Sequence, residues 1–166
     1  MLSIRPATPT DLPLILELIR DLATYEREPD AAVATESLLS DNLFGTPSRP
    51  PVARCLIGEL DGKPEGFAIY FYNFSTWLGR PGIYLEDLFV RPAARSRGLG
   101  KALLTHIAAI AHREGCGRME WAVLDWNTPA IDFYRHLGAS PMSEWTVFRL
   151  TGDSLADVAS IAQPRS

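Results

Sequence analysis

Residues 85–101 read Leu85-Glu86-Asp87-Leu88-Phe89-Val90-Arg91-Pro92-Ala93-Ala94-Arg95-Ser96-Arg97-Gly98-Leu99-Gly100-Lys101. The first six are strand-like, apolar and aromatic residues around a pair of carboxylates. Pro92 ends the run, and from Gly98 to about Glu114 apolar residues return at helical spacing. Strand, glycine-containing loop and helix start, in that order, place free backbone N–H groups at a helix N-terminus, where the helix dipole favours an anion. Gly98 and Gly100 lack a Cβ and let an anion approach the backbone, while Arg95, Arg97 and Lys101 bring positive charge to the rim. The stretch has two glycines rather than the three of GxGxxG, and it lacks the GxxxxGK[ST] of a P-loop. A glycine pair before a helix is more often a tight turn than a phosphate site, so both readings stand on these residues alone.

Upstream, residues 52–60, 65–74 and 82–90 read as three strands. Asp61-Gly62 between the first two is a hairpin signal, and Leu78-Gly79-Arg80-Pro81 separates the last two. Before them come a short strand over 2–5 and an amphipathic helix capped by Thr8, opened by Pro9 and running to about Tyr25. Leu12, Ile15, Leu16, Ile19 and Leu22 keep its helical spacing. Thr35 caps a short second helix to about Phe44, and the proline-rich stretch 45–51 is loop. Downstream, 118–124 reads as strand, 128–137 as helix and 145–150 as a final strand, with the tail from Gly152 weakly helical at best. This order predicts an α/β (α+β) fold with one central mixed sheet flanked by helices. A length of 166 residues fits one domain over 1–166, with its core at about 2–150 and a tail over 152–166.

Hydrophobic residues at 46% and charged residues at 22% are globular proportions, which excludes a disordered or fibrous chain. The net charge of −4 offers no overall attraction to nucleic acid or an anionic membrane, and permits a cationic partner. No apolar run approaches the 18 or so residues of a membrane span, and the first residues lack a signal peptide's long apolar segment. The expectation is a soluble, cytoplasmic protein. Cys55 and Cys116 are too few for a disulfide framework and lack CxxC spacing, so both are expected as reduced thiols. His106, His112 and His136 form no metal-type cluster with them, and no metal is expected.

Arg95-x-x-Gly98-x-Gly100, behind an apolar strand ending in Val90-x-Pro92, resembles the acetyl-CoA signature of the GNAT acetyltransferases. The likeness extends through Ile4-Arg5-Pro6-Ala7, Tyr25-Glu26, Gly66-Phe67-Ala68, Tyr84-Leu85-Glu86-Asp87, Trp126-Asn127, Phe133-Tyr134 and Gly138-Ala139. Together these motifs resemble most the diamine (spermidine/spermine) acetyltransferases and their thialysine-acetylating relatives. The resemblance implies a mostly antiparallel sheet, acetyl-CoA as co-substrate, and direct acetyl transfer to a primary amine of a small cationic substrate, a polyamine or a thialysine-like amino acid. No Ser or Cys nucleophile is then required. A non-catalytic acyl-CoA-binding or sensing module, and a GNAT enzyme acting on another amine, are the alternatives.

The resemblance also implies roles. Ser96, Arg97, Gly98, Leu99, Gly100 and Lys101, with Arg95, would surround the pyrophosphate, and Leu88, Phe89 and Val90 would offer backbone groups to the pantetheine as to an added strand. Tyr134 would be the general acid beside the CoA sulfur, with Asn127 also on the cofactor. Asn127, Ile131 and Tyr134 share one helix face at i, i+4 and i+7, although a packed tyrosine and an N-capping asparagine are the commoner roles of such residues. Deprotonation falls to Glu86 or Asp87. An unbroken strand sends the two to opposite faces, so only one faces the site; Glu86, acting through water, is the expected base unless a bulge spoils the parity. Tyr25, Glu26, Glu86, Asp87, Glu120, Trp121 and Glu144 are the expected substrate contacts, carboxylates and aromatic faces that suit a cation. The segment after Ala139 and the loop at 47–51 are shorter than in the diamine enzymes, which bears on substrate choice. A homodimer is implied as well, with Trp77, Trp126 and Trp145 as candidate interface residues.

Overall fold

In the computed structural model, which describes residues 1–162, five strands form one sheet in chain order: β1 (Leu2–Pro6), β2 (Arg54–Leu60), β3 (Lys63–Ser75), β4 (Arg80–Val90) and β5 (Met119–Trp121). The first four pair antiparallel and β4 with β5 parallel. The two-residue turn Asp61-Gly62 closes the β2–β3 hairpin directly after the Leu60↔Lys63 pair, with φ of 54° and 76° that match the twist of the flanking strands. The helices are α1 (Leu12–Tyr25), α2 (Glu36–Leu43), α3 (Leu99–Arg113), α4 (Thr128–His136) and α5 (Gly152–Ile161). The α3 crossover joins β4 to β5 and makes their parallel pairing possible. The chain falls into two compact units, one over Met1–Ala122 and a second from Val123.

In the first unit each sheet face has its own cover. Ile57, Phe67, Ile69 and Phe89 cluster with Ile15 and Leu18 of α1 and Leu43 of α2. On the other face Leu99 and Leu103 of α3 lie over Gly58 of β2. Two arginines tie α1 to the sheet. Arg5 of β1 holds both carboxylate oxygens of Asp11 at 2.8 Å and Glu59 at 2.8 Å, and Asp11 also accepts from the backbone N–H of Thr8 at 2.7 Å. The Arg5 guanidinium keeps the Asp11 carboxyl well below the usual carboxylate range. At the end of β4, Arg91 donates to Glu17 at 2.5 Å and to Asp21 at 3.0 Å, both on α1. The C-terminal end of α1 is thereby fixed close to the end of β4.

Three sequence expectations need correction. Residues 145–150 form no strand: Val147 and Phe148 are 81% and 92% exposed, and the segment has no ladder partner among the described residues. Strand propensity records fit to a pleated, paired surface, and without a partner it specifies nothing. The tail is more ordered than expected, since residues from Gly152 form the ten-residue helix α5, with Leu155 and Val158 three residues apart on one face. The strand expected over 118–124 shrinks to Met119–Trp121, because β5 pairs only with Ile83, Tyr84 and Leu85. Residues 163–166 of the expected tail lie outside the described residues.

Candidate active site

The β3–β4 ladder slips by one residue at Glu86. Leu85 pairs with Tyr70 and Asp87 with Ile69, so Glu86 is the extra residue of a bulge. Cross-strand partners share a face, and Ile69 belongs to the cluster under α1. The bulge therefore turns Asp87 to the α1 face, where an unbroken strand would have sent Glu86, and leaves Glu86 exposed at the kink. Parity no longer separates the two carboxylates. β5 stops pairing at Leu85, so over 86–90 the edge of β4 away from β3 has no ladder partner among the described residues. Leu88 and Phe89 sit on this edge, whereas the Val90 carbonyl accepts from Arg95 Nε at 2.9 Å.

Asp87 meets the end of α1. Burial, followed by the charges of Glu86 and Glu26, pushes its carboxyl up to about 6. Burial alone raises Glu26, the residue that follows α1. The half-buried Tyr25 ring lies 6.3 Å from Phe89 and beneath the Arg95 guanidinium at 4.1 Å. Tyr25, Glu26, Asp87, Phe89 and Arg95 thus form one neighbourhood, assembled from the end of α1, β4 and the loop that follows it.

That loop is built for backbone N–H exposure. Ser96 and Gly98 both take left-handed φ, 62° and 86°, and Gly98 is the N-cap of α3. The first intrahelical bond is donated by Ala102 to the Gly98 carbonyl, so the N–H groups of Leu99, Gly100 and Lys101 lie ahead of the ladder. Arg97 is paired with Asp61 at 2.8 Å, a surface contact that an anion could displace. Glu120 accepts from Asn73 at 2.9 Å and is ion-paired with Arg118 at 2.8 Å, and half-buried Trp121 stands across from Leu85.

The Acetyltransferase (GNAT) family profile matches residues 15–139. The chain belongs to the GNAT acetyltransferase family. It is 38% identical to a thialysine N-epsilon-acetyltransferase of Bos taurus, over 94% of this chain and 96% of that one. It is 36% identical to an L-ornithine N5-acetyltransferase of Arabidopsis thaliana, over 92% of this chain and 85% of that one. A V. cholerae integron cassette protein of known structure superimposes with a TM-score of 0.77 at 27% identity, over 95% and 97% of the two chains. As a GNAT protein with acetyltransferase relatives aligned over most of their length, the chain is an N-acetyltransferase.

GNAT enzymes use acetyl-CoA as co-substrate, and the first unit suits one: an open strand edge leads to a left-handed loop and a helix N-terminus. The remaining expected residues lie in the second unit. Asn127 is the N-cap of α4 but makes no side-chain cap bond, which leaves its amide uncommitted to the helix. Tyr134 is half-buried, its ring 5.3 Å from Phe133, and burial raises its hydroxyl. Glu144 is exposed in the same unit. Trp77 is 89% exposed and fills no core.

Sequence reasoning passes over Asn73, whose side-chain oxygen is buried with no hydrogen-bond partner among the described residues while its nitrogen holds Glu120. Its cross-strand partner is Gly82, where a Cβ would come within 2.4 Å of that oxygen. A glycine inside an apolar strand run was the available signal.

Because its folded-state pKa is raised, Asp87 binds a proton more tightly in the native state than in the unfolded chain. Its effect on stability is most favourable below about pH 4 and is lost as pH rises through about 6. Asp87→Asn removes this penalty, and in urea unfolding at pH 8 it is expected to exceed the wild type by on the order of 2 kcal/mol. The gap should close as pH falls toward 4; equal stability at pH 8 would contradict the buried charge.

Proposed function

We propose that the chain transfers the acetyl group of acetyl-CoA directly to a primary amine of a small cationic substrate, a thialysine-like amino acid or a diamine or polyamine. The observation that carries this is the gathering of Glu26, Glu86 and Asp87 beside the open edge of β4, with no ion pair to any of the three among the described residues. Carboxylates without an ion-pair partner suit an ammonium group. The relatives named for thialysine and ornithine support the same amine class. We treat residues 1–166 as a single acetyltransferase domain, a reading supported by the family match running across both units.

In this reading the backbone of Leu88 and Phe89, with Val90, aligns the pantetheine arm, and an N–H of this edge polarises the acetyl carbonyl. Residues 95–101 hold the pyrophosphate through Arg95, Ser96, Arg97, Gly98, Leu99, Gly100 and Lys101. Glu86, solvent-facing at the bulge, takes the ammonium proton through water, while Asp87 and Glu26 hold the cation. In a second assignment Asp87 itself is the base, since burial and the neighbouring carboxylates push its carboxyl up to about 6. Glu120, Trp121 and Glu144 contribute to substrate recognition, Asn127 contacts the cofactor, and Tyr134 donates a proton to the departing thiolate. Deeply buried Cys55, whose thiol is pushed up to about 12, and free Cys116 fit a reducing cytoplasmic setting.

Thiol release from acetyl-CoA, measured across thialysine, ornithine, lysine, putrescine, spermidine, spermine and simple arylamines, should show selective turnover of one aliphatic cationic amine. Tight acetyl-CoA binding with no turnover of any member would instead favour a sensing module.

Tyr134→Phe should lower kcat by about 100-fold with acetyl-CoA affinity little changed, since the hydroxyl acts late in transfer. Unaltered turnover would return Tyr134 to a packing role.

The exposed apolar run Trp145, Val147 and Phe148 supports a homodimer. Light scattering should then give twice the 18.3 kDa chain mass, and the single-chain mass would remove the dimer.

A further inference from the structure

One side chain belongs to both the loop after β4 and the end of α1. The Arg95 guanidinium carbon lies 4.1 Å from the centroid of the Tyr25 ring and 5.7 Å from that of Phe89. Arg95 Nε is fixed on the Val90 carbonyl at 2.9 Å, and its two terminal nitrogens make no hydrogen bond among the described residues. The next residue, Ser96, has the left-handed φ of 62° that begins the loop. Tyr25 is the last residue of α1, and Glu26 behind it raises the Asp87 carboxyl. A guanidinium stacked on a ring uses its face, whereas its N–H donors lie in its plane. Arg95 can therefore donate to a phosphate from its terminal nitrogens without leaving Tyr25.

We propose that Arg95 is a positioning residue that couples occupancy of the pyrophosphate loop to the order of the amine site, through its contact with Tyr25. This rests on the reading of residues 95–101 as the pyrophosphate loop. A phosphate that settles the guanidinium in place also settles the ring beneath it, and with the ring the Glu26 end of α1. By reciprocity, a well-placed Tyr25 strengthens CoA binding although it stands on a different helix from the loop.

The test is calorimetric titration with CoA of the wild type, Arg95→Leu, Tyr25→Leu, the double variant and Tyr25→Phe, each first shown by circular dichroism to be folded. Tyr25→Leu should weaken CoA binding about fivefold in the wild-type background and have no effect in the Arg95→Leu background. Tyr25→Phe keeps the ring face and should keep wild-type affinity, which a role for the hydroxyl would not allow. If Arg95→Leu does not fold, Arg95→Gln replaces it in the cycle. The coupling is overturned if Tyr25→Leu leaves CoA affinity unchanged in the wild type, or lowers it equally in both backgrounds; the pyrophosphate-loop reading survives either result. Absence of CoA binding by the wild type overturns that reading, and the coupling with it.

Discussion

A single extra residue in β4, Glu86, is the constraint on which the site depends. Before it, β4 is an interior strand paired on both sides; after it, β4 is paired with β3 alone. The change of face at the bulge brings Asp87 to the side covered by α1, where Tyr25 and Glu26 end their helix. Without the bulge Asp87 would lie on the face that α3 covers, away from both. The free edge and the displaced carboxylate thus share one local irregularity, which is why a bulge next to an active site is better read as a device than as a defect.

The charges elsewhere in the first unit show what is unusual about this corner. Asp11 and Glu59 share Arg5, while Glu17 and Asp21 share Arg91. These pairings pull α1 onto β1 and onto the end of β4, and they fix where its last turn arrives. That turn delivers Glu26 to Asp87 and Glu86, three carboxylates with no basic partner among the described residues. Arg95, which stacks on Tyr25 at the end of α1, is occupied with that ring face and a backbone carbonyl. Like charges are therefore held together by contacts made elsewhere in the fold, and the site's charge is left for a cation to balance.

What was legible in the sequence follows from the range of the forces involved. The strand, loop and helix of residues 85–101 are local: alternation, Pro92 and Gly98 act within a few residues, and the structure has them where they were expected. The Asp61-Gly62 hairpin and the Thr35 cap, whose hydroxyl accepts from Leu38 N–H at 3.3 Å, are equally local. The bulge was not legible, because nothing around Glu86 records that Ile69 and Tyr70 will pair with Asp87 and Leu85. The stacking of Arg95 on Tyr25 and the hold of Asn73 on Glu120 are likewise tertiary facts. Residues 145–150 failed in the opposite sense, since a strong local pattern found no partner to make it a strand.

Asp87 shows how stability and chemistry oppose each other here. Its half-buried carboxyl lies near two others and is pushed up to about 6, so at neutral pH the folded chain carries a charge that its surroundings disfavour. No ion pair among the described residues relieves this, and Arg5 and Arg91 tie α1 to the sheet through Asp11, Glu17 and Asp21. In the proposed assignment, an arriving ammonium group would offset the repulsion and lower the carboxyl's pKa, so part of its binding free energy would come from repulsion already present in the protein. A neutral amine of the same shape lacks that contribution. With the amine site assigned as proposed, selection for charge would therefore be built into the fold before any specific hydrogen bond to the substrate is made.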